Sequence, residues 1–322
     1  MTLRALRLNP LKSLPFLKTS LLMASLGGCL SGCVSDKHAR EEAEKQAVLA
    51  DKGVAIYAAG DIADCKQYRP QDSGAARTAG LVAARLAADK EAVVLTLGDH
   101  TYPVGLPEEF TGCYDATWGK FKDRTHPAPG NHEYYTPQAV GYYRYFGAAA
   151  GPAQLGYYSF NIGSWHVASL NSYLNPEEHG KQLDWLRRDL AANPSSCTLA
   201  YWHHPLYSSG GHGSSKRMQE AWHILHEANA ELVLASHDHG YERFAPQDAD
   251  GRRDERRGLR QFVVGTGGAQ LTPFRFRKSH SQVSDNSTLG VLKLTLKEKA
   301  YEWEFLPVEK YGFSDRGTTL CH

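Results

Sequence analysis

The chain has 322 residues, with 36 Lys and Arg against 35 Asp and Glu, for a formal net charge of +1. A 42% hydrophobic share with 11% aromatics supplies a sizeable core, so wholesale disorder is excluded, and the length suits one large domain or two small ones. The balanced charge argues against a nucleic-acid platform, and six Cys are too few for a disulfide scaffold, whereas the 15 His, many in short clusters, suggest chemistry.

Residues 1–32 contain Arg4, Arg7, Lys12 and Lys18 and no acid. The apolar run Leu21–Leu30 is too short to span a bilayer and suits the h-region of a signal. It ends in Leu30-Ser31-Gly32-Cys33, which resembles the bacterial lipoprotein box, whose Cys is acylated after everything before it is removed. An ordinary secretory signal with a chance Cys is the alternative, and Cys29 fits the box less well. Either reading predicts an exported protein, with lipid anchoring through Cys33 placing it in a bacterial cell envelope, at the periplasm or outer membrane. Removing 1–32 leaves 32 basic against 35 acidic residues, a net of −3. Of the Cys beyond Cys33, four remain and allow three pairings. Cys65–Cys113 and Cys197–Cys321 are favoured: the first staples two loops that follow early strands, the second ties down the C-terminal tail.

Residues 33–52 read as a charged, Ala/Glu/Lys-rich tether, and 53–322 as the domain. Within it the pattern predicts a buried strand at Val54–Ala59 and a helix at Ser73–Ala88 with Ser73 as N-cap. Further strands are expected at Ala92–Leu97, Tyr157–Ile162 and Trp165–Leu170, then an amphipathic helix at Lys181–Ala192. A strand at Leu199–Trp202, a helix at Ser214–Asn229 and strands at Glu231–Ala235 and Gln261–Val264 follow. Val291–Leu296 and Tyr301–Leu306 alternate as a hairpin. Alternating strands and helices with a β-rich end predict an α/β layered domain. The mixed-sign run Arg252–Arg257 reads as a polar surface loop.

The chemistry lies just past the strand ends. Gly60-Asp61, Gly98-Asp99-His100-Thr101-Tyr102, His203-His204-Pro205 and Ser236-His237-Asp238-His239 follow apolar runs, and Pro129-Gly130 leads into Asn131-His132-Glu133. Each alone is weak, since Gly-Asp is usually a turn and a lone His is usually a surface or packing group. Five such loops together are not chance, because the C-terminal edge of an open α/β sheet is where sites assemble. Carboxylate and imidazole suit Zn, Fe or Mn, and a phenolate favours a trivalent ion. The ligands are too many for one four-coordinate metal. Two metals sharing a carboxylate would use them, and such a pair clamps both oxygens of a phosphoryl displacement.

These blocks resemble, in order, those of calcineurin-like metallophosphoesterases, and Tyr102, His239-Gly240-Tyr241-Glu242-Arg243 and Gly265-Thr266-Gly267-Gly268 resemble the purple acid phosphatase branch. They span residues 60–268. The resemblance implies a single catalytic domain with a four-layer αββα sandwich. It assigns Asp61, Tyr102 and His239 to one metal, Asn131, His203 and His237 to a second, and Asp99 to both. Fe(III) is implied at the Tyr102 position, with Fe, Zn or Mn at the other. His132 is implied as outer-shell acid, His212 as a substrate histidine and His204 as a further contact, with Glu133 orienting His132. The expected reaction is acid phosphatase-like hydrolysis of small phosphorylated substrates by a metal-bridged hydroxide attacking phosphorus. A phosphodiesterase or nucleotide pyrophosphatase using the same metals, and a non-catalytic surface lipoprotein, are the alternatives.

Two positions depart from the pattern: Ser236 stands where Gly is usual, and Asp64-Cys65 follows the first block, where Cys65 is a ligand or, in an exported protein, a disulfide partner. His100 and His126 are candidates for supporting roles, and Tyr207, Tyr241 and Arg243 for lining the pocket. His166, in a strand, reads as structural, and His223 and His226 as surface or packing groups.

Overall fold

The computed structural model describes residues 40, 42–43, 45–66 and 68–322. The signal, Cys29 and Cys33 lie outside the described residues. The chain divides into a unit up to Gln46 and a compact unit from Ala47 to His322. Residues 45–50 are helical. Within the compact unit, the Lys297 ammonium donates to the Leu49 carbonyl, and the Asp51 carboxylate accepts from Glu298 N at 3.0 Å. Among the described residues no helix is long and apolar enough to cross a membrane.

Two mixed sheets carry the fold. The first has the order β13-β12-β11-β1-β2-β3 and the second β10-β8-β9-β7-β6-β5-β4. The site depends on β1 (Val54–Ala59), β2 (Val93–Leu97) and β3 (Thr125–Ala128), which are parallel, with Ile56 beside Val93 and Val94 beside Thr125. In the second sheet β5 (Trp165–Ser169), β6 (Cys197–Tyr201), β7 (Leu232–Ala235) and β9 (Arg260–Val264) are parallel. The antiparallel margins are β4 (Tyr158–Ile162), β8 (Tyr241–Phe244) and β10 (Ser281–Asp285). On the first sheet they are β11 (Gly290–Lys297), β12 (Ala300–Pro307) and β13 (Arg316–Leu320).

Period-2 alternation explains the layering. In β6 and β7, Leu199, Tyr201, Leu232 and Leu234 face the core between the sheets with Ile56, Val94 and Leu294. Their neighbours Ala200, Val233 and Ala235 face the other way, against Leu183 and Leu186 of one helix and Trp222 and Leu225 of another. On the first sheet, the helix α1 (Gly74–Ala88) buries Ala75, Ala79, Val82 and Leu86. Ser73 caps it, accepting from Ala76 N at 3.2 Å. This is the expected α/β metallophosphoesterase architecture.

The helices on the second sheet are α3 (Pro176–Ala192) and α4 (Gln219–Glu227), after a short aromatic α2 (Val140–Phe146). α3 starts five residues before the periodic run, because Asn175 caps it and Pro176 opens it. α4 is shorter than expected, because Lys216–Met218 form a 3-10 turn first. Both expected disulfides form, Cys65–Cys113 and Cys197–Cys321.

Candidate metal centre

Every site loop leaves the C-terminal end of a strand, and two of the loops are zipped together. Asp61 N, Ile62 N and Ala63 N donate to the carbonyls of Gly98, Asp99 and His100 at 3.1, 2.9 and 3.0 Å. This extends the β1–β2 pairing past the strands and fixes Asp61 relative to Asp99. Gly98 has φ +87°, and a Cβ there would meet His203 Nδ1 at 2.7 Å and Gly130 Cα at 2.8 Å. Only Gly fits both the conformation and the approach.

The donor atoms gather in two groups. In the first, Tyr102 Oη lies 2.9 Å from Asp61 Oδ1 and 3.1 Å from His239 Nε2, with His239 Nε2 3.3 Å from Asp61 Oδ1. In the second, His203 Nε2 lies 3.0 Å from Asn131 Oδ1 and 3.1 Å from His237 Nδ1. Asp99 Oδ2 stands between them, 3.0 Å from His203 Nε2 and 3.5 Å from the Tyr102 hydroxyl. Asp99, His203 and His237 alone bring three ligand atoms within 4.8 Å of one another. All seven candidate ligands therefore converge, in two sets sharing one carboxylate.

Carbonyls aim the imidazoles. His203 Nδ1 donates to Leu97 O at 2.8 Å and His239 Nδ1 to Gln270 O at 2.7 Å, which leaves each Nε2 facing its group. Ser236, the unusual residue, donates its hydroxyl to the same Leu97 carbonyl at 2.5 Å and lies 3.0 Å from His203 Nδ1. It is a second brace for His203. Asp61, Asp99 and His237 adopt positive φ of 57°, 49° and 69°. Strained backbone at three ligands is the kind that persists where function requires it.

The electrostatics and the donor chemistry both fit metal cations. Burial opposes charge on His203, but Asp99 and Asp61 raise it to about 9. Burial likewise opposes charge on His239, which Asp61 raises to about 9. Burial pushes Asp61 up, but His239, His203 and His237 hold it below the usual carboxylate range. Burial and the adjacent His203 push His237 down to about 2. Burial and Asp61 push the Tyr102 phenol well up. The buried acids are thus balanced by protons that a metal would displace. Carboxylate, imidazole, amide oxygen and phenol are donors for Zn, Fe or Mn.

The three candidate catalytic histidines border these groups. His132 donates from Nδ1 to Pro103 O at 2.5 Å, and its Nε2 lies 3.9 Å from Asp99 Oδ2. Its ring packs on Tyr102 and Tyr135 at 4.4 and 4.7 Å. His204 lies with its ring 4.4 Å from that of His237, and its Nδ1 is 2.9 Å from Ser172 Oγ. The ring of His212 is 4.6 Å from that of His237.

Glu133 does not orient His132. It is fully buried and accepts from the backbone N–H of Gly130, Asp99 and His100 at 2.6, 3.0 and 2.8 Å, so it holds the Asp99 loop. His100 supports this anchor, 2.7 Å from Thr96 Oγ1 and 3.4 Å from Glu133 Oε1. His126 stacks on Phe160 at 4.0 Å and joins neither group. His166 bonds Asn161 and Asp189, a structural role. Tyr241 and Arg243 both bond Asp315, and Tyr207 packs on Trp222, so none of the three joins the donor groups. Cys65 is a disulfide partner, not a ligand.

Sequence reasoning missed Asp238, Ser172 and Tyr173. Asp238 is buried and accepts from the Ser208 hydroxyl at 2.5 Å and from His212 N and Gly213 N at 2.7 and 3.0 Å. It shapes the loop that presents His212. Its only sequence signal was its place inside His237-x-His239. Tyr173 stacks against His204 at 5.8 Å.

A family model of the calcineurin-like phosphoesterases matches residues 33–241. Among curated proteins, the chain is similar to purple acid phosphatase 21 of Arabidopsis thaliana, 32% identical over 185 residues, 52% of this chain and 42% of that protein. It is also similar to purple acid phosphatase 15 of Arabidopsis thaliana, 37% identical over 93 residues, 27% of this chain and 18% of that protein. The chain therefore spans less than half the length of these relatives. Among solved structures it resembles the purple acid phosphatase PPD1 of yellow lupin (Lupinus luteus), with TM-score 0.66 and 19% identity over 83% of this chain and 54% of that one. It also resembles GAP50, the anchor in the inner membrane complex of Plasmodium, with TM-score 0.62 and 12% identity over 82% and 88%. At such identities the likeness is one of fold.

Proposed function

Because the chain belongs to the calcineurin-like phosphoesterase family, we propose that it hydrolyses small phosphate monoesters at a dinuclear metal centre, as an acid phosphatase-like enzyme. The observation that carries this reading is the pair of donor groups sharing Asp99 Oδ2. Asp61, Tyr102 and His239 would hold one cation and Asn131, His203 and His237 the other. Fe(III) suits the phenol position, and Fe, Zn or Mn the second. When bound, the ions supply Lewis acidity toward the phosphoryl oxygens and a nucleophilic oxygen at neutral pH.

The remaining steps belong to side chains. His132, anchored through Nδ1, turns Nε2 toward the centre and is placed to protonate the leaving oxygen. Ser172 Oγ accepts from His204 N at 3.1 Å and lies 2.9 Å from His204 Nδ1, so it holds both the backbone and the ring of His204. In the tautomer where Ser172 donates to Nδ1, His204 would carry its proton on Nε2 and serve as a neutral donor to a phosphoryl oxygen. His212 is exposed at the mouth, where it meets substrate as it enters.

We further propose export and lipid anchoring on Cys33. Two disulfides support the oxidising compartment this implies.

Metal analysis of the purified chain, with an assay panel of monoesters, diesters and nucleotides, tests the reading. Two metals per chain and preferred monoester turnover are expected. His203→Ala should lose the second metal and about a thousandfold in turnover, matching the several kcal/mol a catalytic cation supplies. If Tyr102 binds Fe(III), the protein is coloured and Tyr102→Phe bleaches it. A metal-free protein, or full activity in His203→Ala, would sink the assignment.

A further inference from the structure

Beside the metal centre runs a segment that neither the ligands nor the catalytic histidines use: Pro273-Phe274-Arg275-Phe276-Arg277-Lys278. Its backbone is pinned to the rim. Thr272 N donates to His239 O at 2.9 Å and Arg275 N to Ser209 O at 3.1 Å. Lys278 N donates to Ser209 Oγ at 2.8 Å. Ser209 belongs to the loop that Asp238 shapes around His212, and a buried Glu242 holds it from beneath. Phe274 packs inward, where a Cβ on Gly240 would meet its ring at 3.3 Å.

The outward side chains are a Phe among cations. Phe276 is 84% exposed, and Arg275, Arg277 and Lys278 are exposed around it. Among the described residues no carboxylate pairs with any of the three, and Arg277 bonds only Ser281 Oγ and Gln282 O. A lone exposed apolar residue is ordinary. One carried on a braced segment beside a site, flanked in the chain by three exposed cations, is not.

We propose that this segment is a docking surface for an anionic phospholipid bilayer, which brings the mouth of the metal centre to the membrane surface. Aromatic side chains settle at the headgroup level, and juxtamembrane cations are drawn to anionic headgroups. A single-stranded nucleic acid would call for a longer basic groove with successive stacking platforms, whereas this segment offers one exposed ring. The inference does not rest on the hydrolytic reading, because docking is measured without turnover.

The test uses the chain from residue 33 onward with Cys33→Ser, so that neither the basic, apolar leader nor an acyl group contributes, with vesicles of phosphatidylcholine alone or mixed with phosphatidylglycerol. The expected result is stronger sedimentation with the anionic vesicles. Phe276→Ser should weaken that partitioning about tenfold, and Arg275→Gln and Lys278→Gln about fivefold each, with thermal melting unchanged. Phe276→Trp should report insertion as quenching by brominated phosphatidylglycerol beyond that of the parent, because of the six native Trp only Trp185 is not buried. Variants that partition like the parent, or an unquenched indole, would overturn the proposal. So would capture of a single-stranded oligonucleotide in place of the vesicles.

Discussion

Glu133 shows how one side chain governs a site it never touches. Its carboxylate gathers three backbone N–H groups, and two of these belong to Asp99 and His100. Glu133→Gln keeps the shape but turns an amide N–H₂ toward those donors. Buried donors left without acceptors cost about 1–3 kcal/mol each. We predict a roughly hundredfold loss of turnover with lower metal content, measured by steady-state kinetics and metal analysis; unchanged metal content would contradict the role. All the ligands but Asn131 were legible because each sits within a few residues of an apolar run, where strand ends place chemistry; Asn131 was legible only through the Gly-Asn-His-Glu block. The roles of Glu133, Asp238 and Ser172 were not, because their partners are backbone groups or side chains on other loops and leave no spacing behind.

At the scale of elements, strands buried on both faces announced themselves, as in Val54–Ala59, found with the same bounds. Strands at the margins did not. β3 reads Thr-His-Pro-Ala, and its Pro is tolerated because the strand lies at an edge. β10 is Ser-Gln-Val-Ser-Asp, too polar to signal burial. Covalent links stabilise such margins. Cys197 opens β6 in the second sheet and Cys321 follows β13 at the edge of the first, 124 residues apart. Cys321→Ser should cost about 3 kcal/mol, as for native disulfides generally. Denaturant melts of the variant would measure this, and a midpoint equal to that of the parent would refute it.

The two sheets also meet through one carboxylate. Asp315 accepts from the Tyr241 hydroxyl at 2.7 Å and Arg243 Nε at 2.7 Å on the second sheet, and from Trp303 Nε1 at 3.2 Å on the first. Burial pushes Asp315 up, but Arg243 and Tyr241 leave it below its ordinary value. A lowered folded value means the carboxylate stabilises the fold at neutral pH. That contribution holds down to about pH 4, the unfolded value, and fades as acid passes the lower folded one. Asp315→Asn should therefore cost about 3 kcal/mol at neutral pH. The gap to the parent should close in acid, as thermal melts across pH would show. A gap that does not change with pH would remove the carboxylate from the account. The zipped loops that carry Asp61 and Asp99 have a last consequence, one of timing. The amides of Asp61, Ile62 and Ala63 are held by the ladder to Gly98, Asp99 and His100. They should exchange with deuterium only when β1 and β2 themselves part, with or without metal. The spacing of Asp61 from Asp99 would then be a property of the unloaded chain, a gauge cut before the metal arrives.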